Sequence, residues 1–285
     1  MLPTPHLLAL SSALCAASAT MLIHRGLRGS SFYAGAWINV VVGTIAAWTA
    51  ALLLVRIDAF PWQAVPYFAL SGLIGTTGGR LFRVLAIQKV GAPVASAVNN
   101  MTPLVASGLA ILLLGERVTL PILGGTLVIV AGTILLSLSG RLVGFRARDL
   151  LYPFIGASCF GIVQILRKLG LASAGPLLGA TINVTAALIA TTAFVAASGN
   201  LGSLRCGRRS LLYFIGGGIA ENGGVFLLLL ALGFGDVSVV IPLAGTAPLF
   251  VLGLAYLIPS ERSKLGWRVV TGVALIVLGV GLLSR

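Results

Sequence analysis

Apolar positions along this chain come in long unbroken runs, with no alternation of apolar and polar residues. The runs cover about 5–24, 32–55, 63–87, 92–114 and 121–140, then about 150–167, 176–198, 211–232, 237–258 and 266–284. A helix needs roughly 20 apolar residues to cross a hydrocarbon layer of about 30 Å, and the runs meet that length. Barrel strands would alternate with period two, whereas helices satisfy their own backbone groups in lipid. The pattern predicts an all-α integral membrane protein with ten transmembrane helices.

The runs fall into two matching sets. Thr102-Pro103-Leu104 returns as Ala247-Pro248-Leu249, Gly108-Leu109-Ala110 as Gly253-Leu254-Ala255, and Glu116-Arg117 as Glu261-Arg262. Further back, Gly78-Gly79 matches Gly223-Gly224, Ile38-Asn39-Val40 matches Ile182-Asn183-Val184, and Cys15 matches Cys159. A period near half the chain length means two homologous halves, expected at 1–140 and 150–285, and excludes a solenoid. Five is an odd number of crossings, so the second half enters from the opposite side. The expectation is two inverted five-helix repeats with both chain ends on one side of the membrane.

Composition agrees with lipid as the solvent: 58% of residues are hydrophobic and 9% are charged. The formal net charge of +13 sits mainly in short connections, as at the edge of a membrane protein, so nucleic acid is not an expected partner. Cys15, Cys159 and Cys206 show no metal-ligand spacing, and neither a cofactor nor a metal is expected. Cys15 and Cys159 read as small packing residues. The N-terminus lacks a basic signal-peptide region and is expected to be retained.

Irregular features gather in the fourth and ninth runs. Pro103, Pro242 and Pro248 each remove a backbone hydrogen bond near mid-membrane, and open backbone at that depth must face protein or a wet cavity. Asn99 and Asn100 lie one turn before Pro103, while Asn39 and Asn183 occupy matched places in runs two and seven. These asparagines and Trp37 are candidate solute contacts; interhelical hydrogen bonding is the alternative for each. On this pattern runs four and nine bracket the cavity. Glu116 and Glu261 precede the last run of each half and read as caps of those helices. Gly125, Gly132 and Ser139, and in the second half Gly272 and Gly279, make small seams for close helix contact, within one protomer or across a homodimer.

Arg80 and Glu221 are the ionisable residues that lie deepest. A charge at the bilayer centre costs roughly 2.5 to 3.5 kcal/mol, so each calls for a partner, an ion or a cavity. Arg80 is a candidate for the anionic group of a solute and Glu221 for proton coupling, with a snorkelling Arg80 and a protonated, packed Glu221 as the alternative. Among the remaining charges, Arg56, Arg117, Arg167, Lys168 and Arg285 fall on the side of the chain ends. The more numerous basic residues of the other side, including Arg25, Arg28, Arg146, Arg205, Arg208 and Arg209, make that side cytoplasmic and send both ends outside.

Tandem five-helix repeats, each with a mid-span Pro, a Gly-Glu-Arg type turn and a Gly-rich last span, resemble the EamA family of the drug/metabolite transporter superfamily. Leu114-Gly115-Glu116-Arg117-Val118-Thr119 carries the likeness most specifically, and Pro259-Ser260-Glu261-Arg262-Ser263 departs from it. The resemblance implies a secondary carrier of a small metabolite in the cell (inner) membrane, often an exporter, with a central cavity lined by the first four helices of each half. It implies chain ends inside, against the charge count. No catalytic residues are expected: His6 and His24 stand alone, without a metalloprotease motif, a nucleophile elbow or paired aspartates. A membrane enzyme acting on lipid and a non-transporting accessory subunit are the competing functions.

Overall fold

A computed structural model describes residues 3–55, 60–138, 146–199, 201–257 and 267–283. The first half supplies α1 (Thr4–Leu27), α2 (Phe32–Leu54), α3 (Val65–Leu73), α4 (Arg80–Asn99), α5 (Thr102–Leu109) and α6 (Leu120–Ser137). The second supplies α7 (Leu151–Gly170), α8 (Pro176–Ala197), α9 (Arg208–Phe234), α10 (Val237–Ala244), α11 (Ala247–Leu257) and α12 (Trp267–Leu283). No strand occurs among the described residues. Among the described residues, eight helical stretches are long and apolar enough to cross a membrane. Leu53, Leu112 and Leu120 are 78%, 79% and 85% exposed, so the outer surface matches hydrocarbon, not water.

Two of the interruptions have clear backbone causes. A π-helical stretch, Ile74–Gly79, carries α3 into α4, and α4 turns at Gly91, whose φ of 79° suits glycine. Pro103 and Pro248 stand second in α5 and α11, where a missing N–H leaves no partner unmet. The helix thus breaks just before Pro103 and Pro248, while Pro242 lies inside α10.

Two pairs of equivalent helices, α6 with α12 and α2 with α8, pack antiparallel. In α6 and α12 a Cβ on Gly125 would stand 2.9 Å from the Gly279 carbonyl oxygen, and one on Gly132 would stand 2.7 Å from that of Gly272. The backbones touch, so this glycine seam is spent inside the protomer. Ser139, its third expected member, lies outside the described residues. Trp37 Nε1 donates to Thr192 Oγ1 and Trp48 Nε1 to Thr185 Oγ1, both at 3.1 Å, which ties α2 to α8. Gly224 of α9 meets the Cys15 Cβ of α1, and Gly78 meets the Cys159 Sγ of α7, so both cysteines pack as small residues.

Two phenylalanines close matching notches. Phe214 of α9 is fully buried against Gly26 and Gly35 of the first half, where a Cβ would stand 2.5 Å and 2.9 Å from its ring. Phe68 of α3 is fully buried against Gly170 and Gly179 of the second half, which hold it just as closely. The notches lie at opposite ends of the bundle, since one joins the end of α1 to the start of α2 and the other the end of α7 to the start of α8. His6 Nε2 bonds the Leu283 carbonyl at 3.1 Å and brings the start of α1 to the end of α12.

Candidate functional site

Small side chains make the space. Gly43, Ala46, Ala47 and Ala50 of α2, Gly75 of the π stretch and Ala180 and Ala187 of α8 line a cavity of about 500 Å³ between α2, α3, α7, α8 and α9. Its polar lining is Asn39, Ser71, Gln164, Arg167, Asn183, Glu221 and Asn222. Along α7, Gln164 and Arg167 are three residues apart and share one face.

The matched asparagines serve opposite charges. Asn39 Nδ2 donates to Glu221 Oε2 at 2.6 Å, and Asn183 Oδ1 accepts from Arg167 Nη2 at 3.0 Å. A primary amide carries a donor and an acceptor end, so one residue type can hold an acid in one half and a base in the other. Asn222 Nδ2 donates to the carbonyls of Gly218 at 2.8 Å and Asn39 at 3.3 Å, which fixes the backbone around the Glu221 pair. Gln164 Oε1 and Arg167 Nε are buried without a partner.

Of the expected site residues, the structure brings Asn39, Asn183 and Glu221 to this one cavity. The side chain of Arg80 lies outside the described residues, and its backbone begins α4. Among the described residues the cavity's cation is Arg167, which read as a loop charge because it stands near the end of its run. Asn100 turns away and donates to the Thr133 carbonyl at 3.3 Å and Ser137 Oγ at 3.0 Å on α6. The Asn99 carbonyl accepts from Thr102 Oγ1 at 2.7 Å, and its side-chain Oδ1 is buried without a partner. Trp37 belongs to the α2–α8 contact, outside the lining.

Runs four and nine were expected to bracket a cavity; the described lining of this one comes from other helices. Neither Pro103, Pro242 nor Pro248 is in the described lining, and the two breaks face each other: a Cβ on Gly245 would stand 3.2 Å from Pro103 Cγ. Glu116 also differs from expectation, since it caps a helix of the other half. Its Oε1 and Oε2 accept from Val237 N at 2.8 Å and Ser238 N at 3.0 Å, at the start of α10. Lys168 Nζ donates to the carbonyls of Leu232 at 2.7 Å and Gly235 at 2.8 Å, so both charges complement the helix ends at the α9–α10 turn. Glu261 lies outside the described residues.

The EamA-like transporter family matches residues 4–138 and again 148–285. The chain belongs to the EamA-like transporter family. Its members are membrane transporters of small solutes, and this EamA-like chain is a multi-pass membrane protein by its eight span-length helices. A solved crystal structure, described only as that of a protein, superposes with a TM-score of 0.82 at 19% identity, over 99% of this chain and 96% of its own. At that identity the likeness shows the fold alone. Among curated proteins none matches.

Proposed function

We propose that the protein is a secondary carrier that moves a small metabolite, as an exporter or proton-coupled exchanger, by alternating access around the cavity between α2, α3, α7, α8 and α9. The observation that carries this reading is the pairing of Asn39 with Glu221 and of Asn183 with Arg167 in one cavity. Buried charges are rare in membrane helices and mark solute or proton paths. Ten spans in two inverted repeats fit the chain, with the segment from α3 to Gly91 and the 17-residue α12 added to the eight longer stretches. Antiparallel packing of α6 with α12 and of α2 with α8 supports the inversion, and the cell (inner) membrane is the expected site.

The test is counterflow in proteoliposomes holding the purified protein, with labelled amino acids, nucleosides and organic anions as the panel. Saturable uptake that depends on unlabelled internal solute is the expected result. Conversion of a vesicle lipid with no solute flux would mean a membrane enzyme. Silence in both assays would mean an accessory subunit.

A further inference from the structure

Arg167 stands three residues before α7 ends at Gly170, about 5 Å along the axis. An arginine so close to a helix end ordinarily runs outward to water. This one runs inward. Its Cβ tilts towards the helix N-terminus, and the guanidinium reaches Asn183, which lies seven residues, about 10 Å, into α8 from the same end. Among the described residues, Asn183 Oδ1 is the hydrogen-bond partner of the guanidinium, and an amide oxygen brings no formal charge. Nε is buried without a partner. The carboxylate of the same cavity, Glu221, is engaged by Asn39.

A cation held in a membrane cavity by a neutral amide has donors to spare and no counter-charge from that amide. Resting on the reading of the cavity as a solute site, we propose that the solute supplies that counter-charge: Arg167 binds the anionic headgroup of a small organic anion, and Asn183 positions the guanidinium to receive it. A planar fork of N–H donors suits a carboxylate or a phosphate monoester, with two parallel bonds to two oxygens. Gln164 Oε1, one turn deeper and also without a partner, is an acceptor for a hydroxyl or amine next to that headgroup. Beyond Asn39, Ser71, Glu221 and Asn222, the rest of the lining is apolar, Val40, Ala47, Leu177, Val184 and Phe226 among it, so a hydrocarbon or a ring suits the body of the anion.

The experiment measures ligand-induced rise in unfolding temperature, and flux in proteoliposomes, for matched series. These are straight-chain carboxylates and 3-phenylpropionate, their amides, the corresponding phosphate monoesters and the corresponding amines. Anions binding ahead of their amides and amines is the expected result, and the better of the two acid series identifies the headgroup. Arg167→Gln should weaken anion binding roughly tenfold to a hundredfold and leave the amides unchanged. Asn183→Asp keeps Arg167 but supplies its counter-ion from the protein, and should lose anion binding to a similar degree while the chain folds. Arg167→Lys keeps charge without the fork and should fall between. The proposal is overturned if amides or amines bind as well as the acids, if no acid binds, or if Asn183→Asp folds and keeps full anion affinity. Anion binding without flux would refute the carrier and leave the site standing; flux of a neutral or cationic solute would refute the site and leave the carrier.

Discussion

Glu221→Gln should abolish the pH dependence of transport and leave solute exchange in place. The substitution keeps the shape of the side chain and an oxygen to accept the Asn39 amide bond, so the cavity retains its form. What it removes is the acidic group of the described lining, the group able to carry a proton between the two faces. A one-unit pH gradient is worth about 1.4 kcal/mol per proton, roughly tenfold in the solute ratio it can sustain. The variant should therefore lose about tenfold accumulation per pH unit imposed while counterflow continues. An unchanged pH profile in a folded variant would leave Glu221 as a packing partner of Asn39. Loss of exchange as well would move it from coupling to solute contact.

Phe68→Ala should unfold with a stability lower by about 3–5 kcal/mol, as for other large-to-small changes at packed sites. Phe68 is fully buried, and its ring occupies the place where Gly170 and Gly179 lack side chains. Gly179→Leu meets the same ring from the other side and should cost about 1–3 kcal/mol by overpacking. The two changes share one volume, so the double variant should be more stable than the sum of the singles predicts. Phe214→Ala, at the matching notch of Gly26 and Gly35, should behave alike. Denaturation in detergent of all four variants measures this. Strict additivity at Phe68 and Gly179 would mean that the notch is not the contact that holds Phe68.

How far the sequence carried depended on what each residue's meaning rests on. The eight span-length helices were legible because lipid imposes length and composition on a crossing. The Gly125–Gly132 and Gly272–Gly279 seams were legible because spacing by seven repeats on one helix face. Arg167 was not, because an arginine at the end of an apolar run looks like a topological charge, and only the approach of Asn183 from the next helix shows that it turns inward. The one local hint was Gln164 three residues earlier, which puts a second polar group on the same face. Pro103 and Pro248 carry a similar ambiguity: a broken helix shows that backbone is open, but not what it faces, and here Gly245 stands against Pro103. The aromatic notches escaped because Phe214 lies two positions beyond the offset that relates Gly26 to Gly170, so no single register displays both.

Thiol labelling decides which helices enclose the solute path. With Cys15, Cys159 and Cys206 replaced, single cysteines at Ala47 and Ala50 on α2, and at Ala244 and Asn100 beside the helix breaks, are challenged in membranes with a charged, water-soluble thiol reagent. Reaction at Ala47 and Ala50, slowed by transported solute, with protection at Ala244 and Asn100, is the predicted result. Protection at Ala47 and Ala50 together with reaction at Ala244 and Asn100, in protein that still transports, would contradict it and return the solute path to the broken helices.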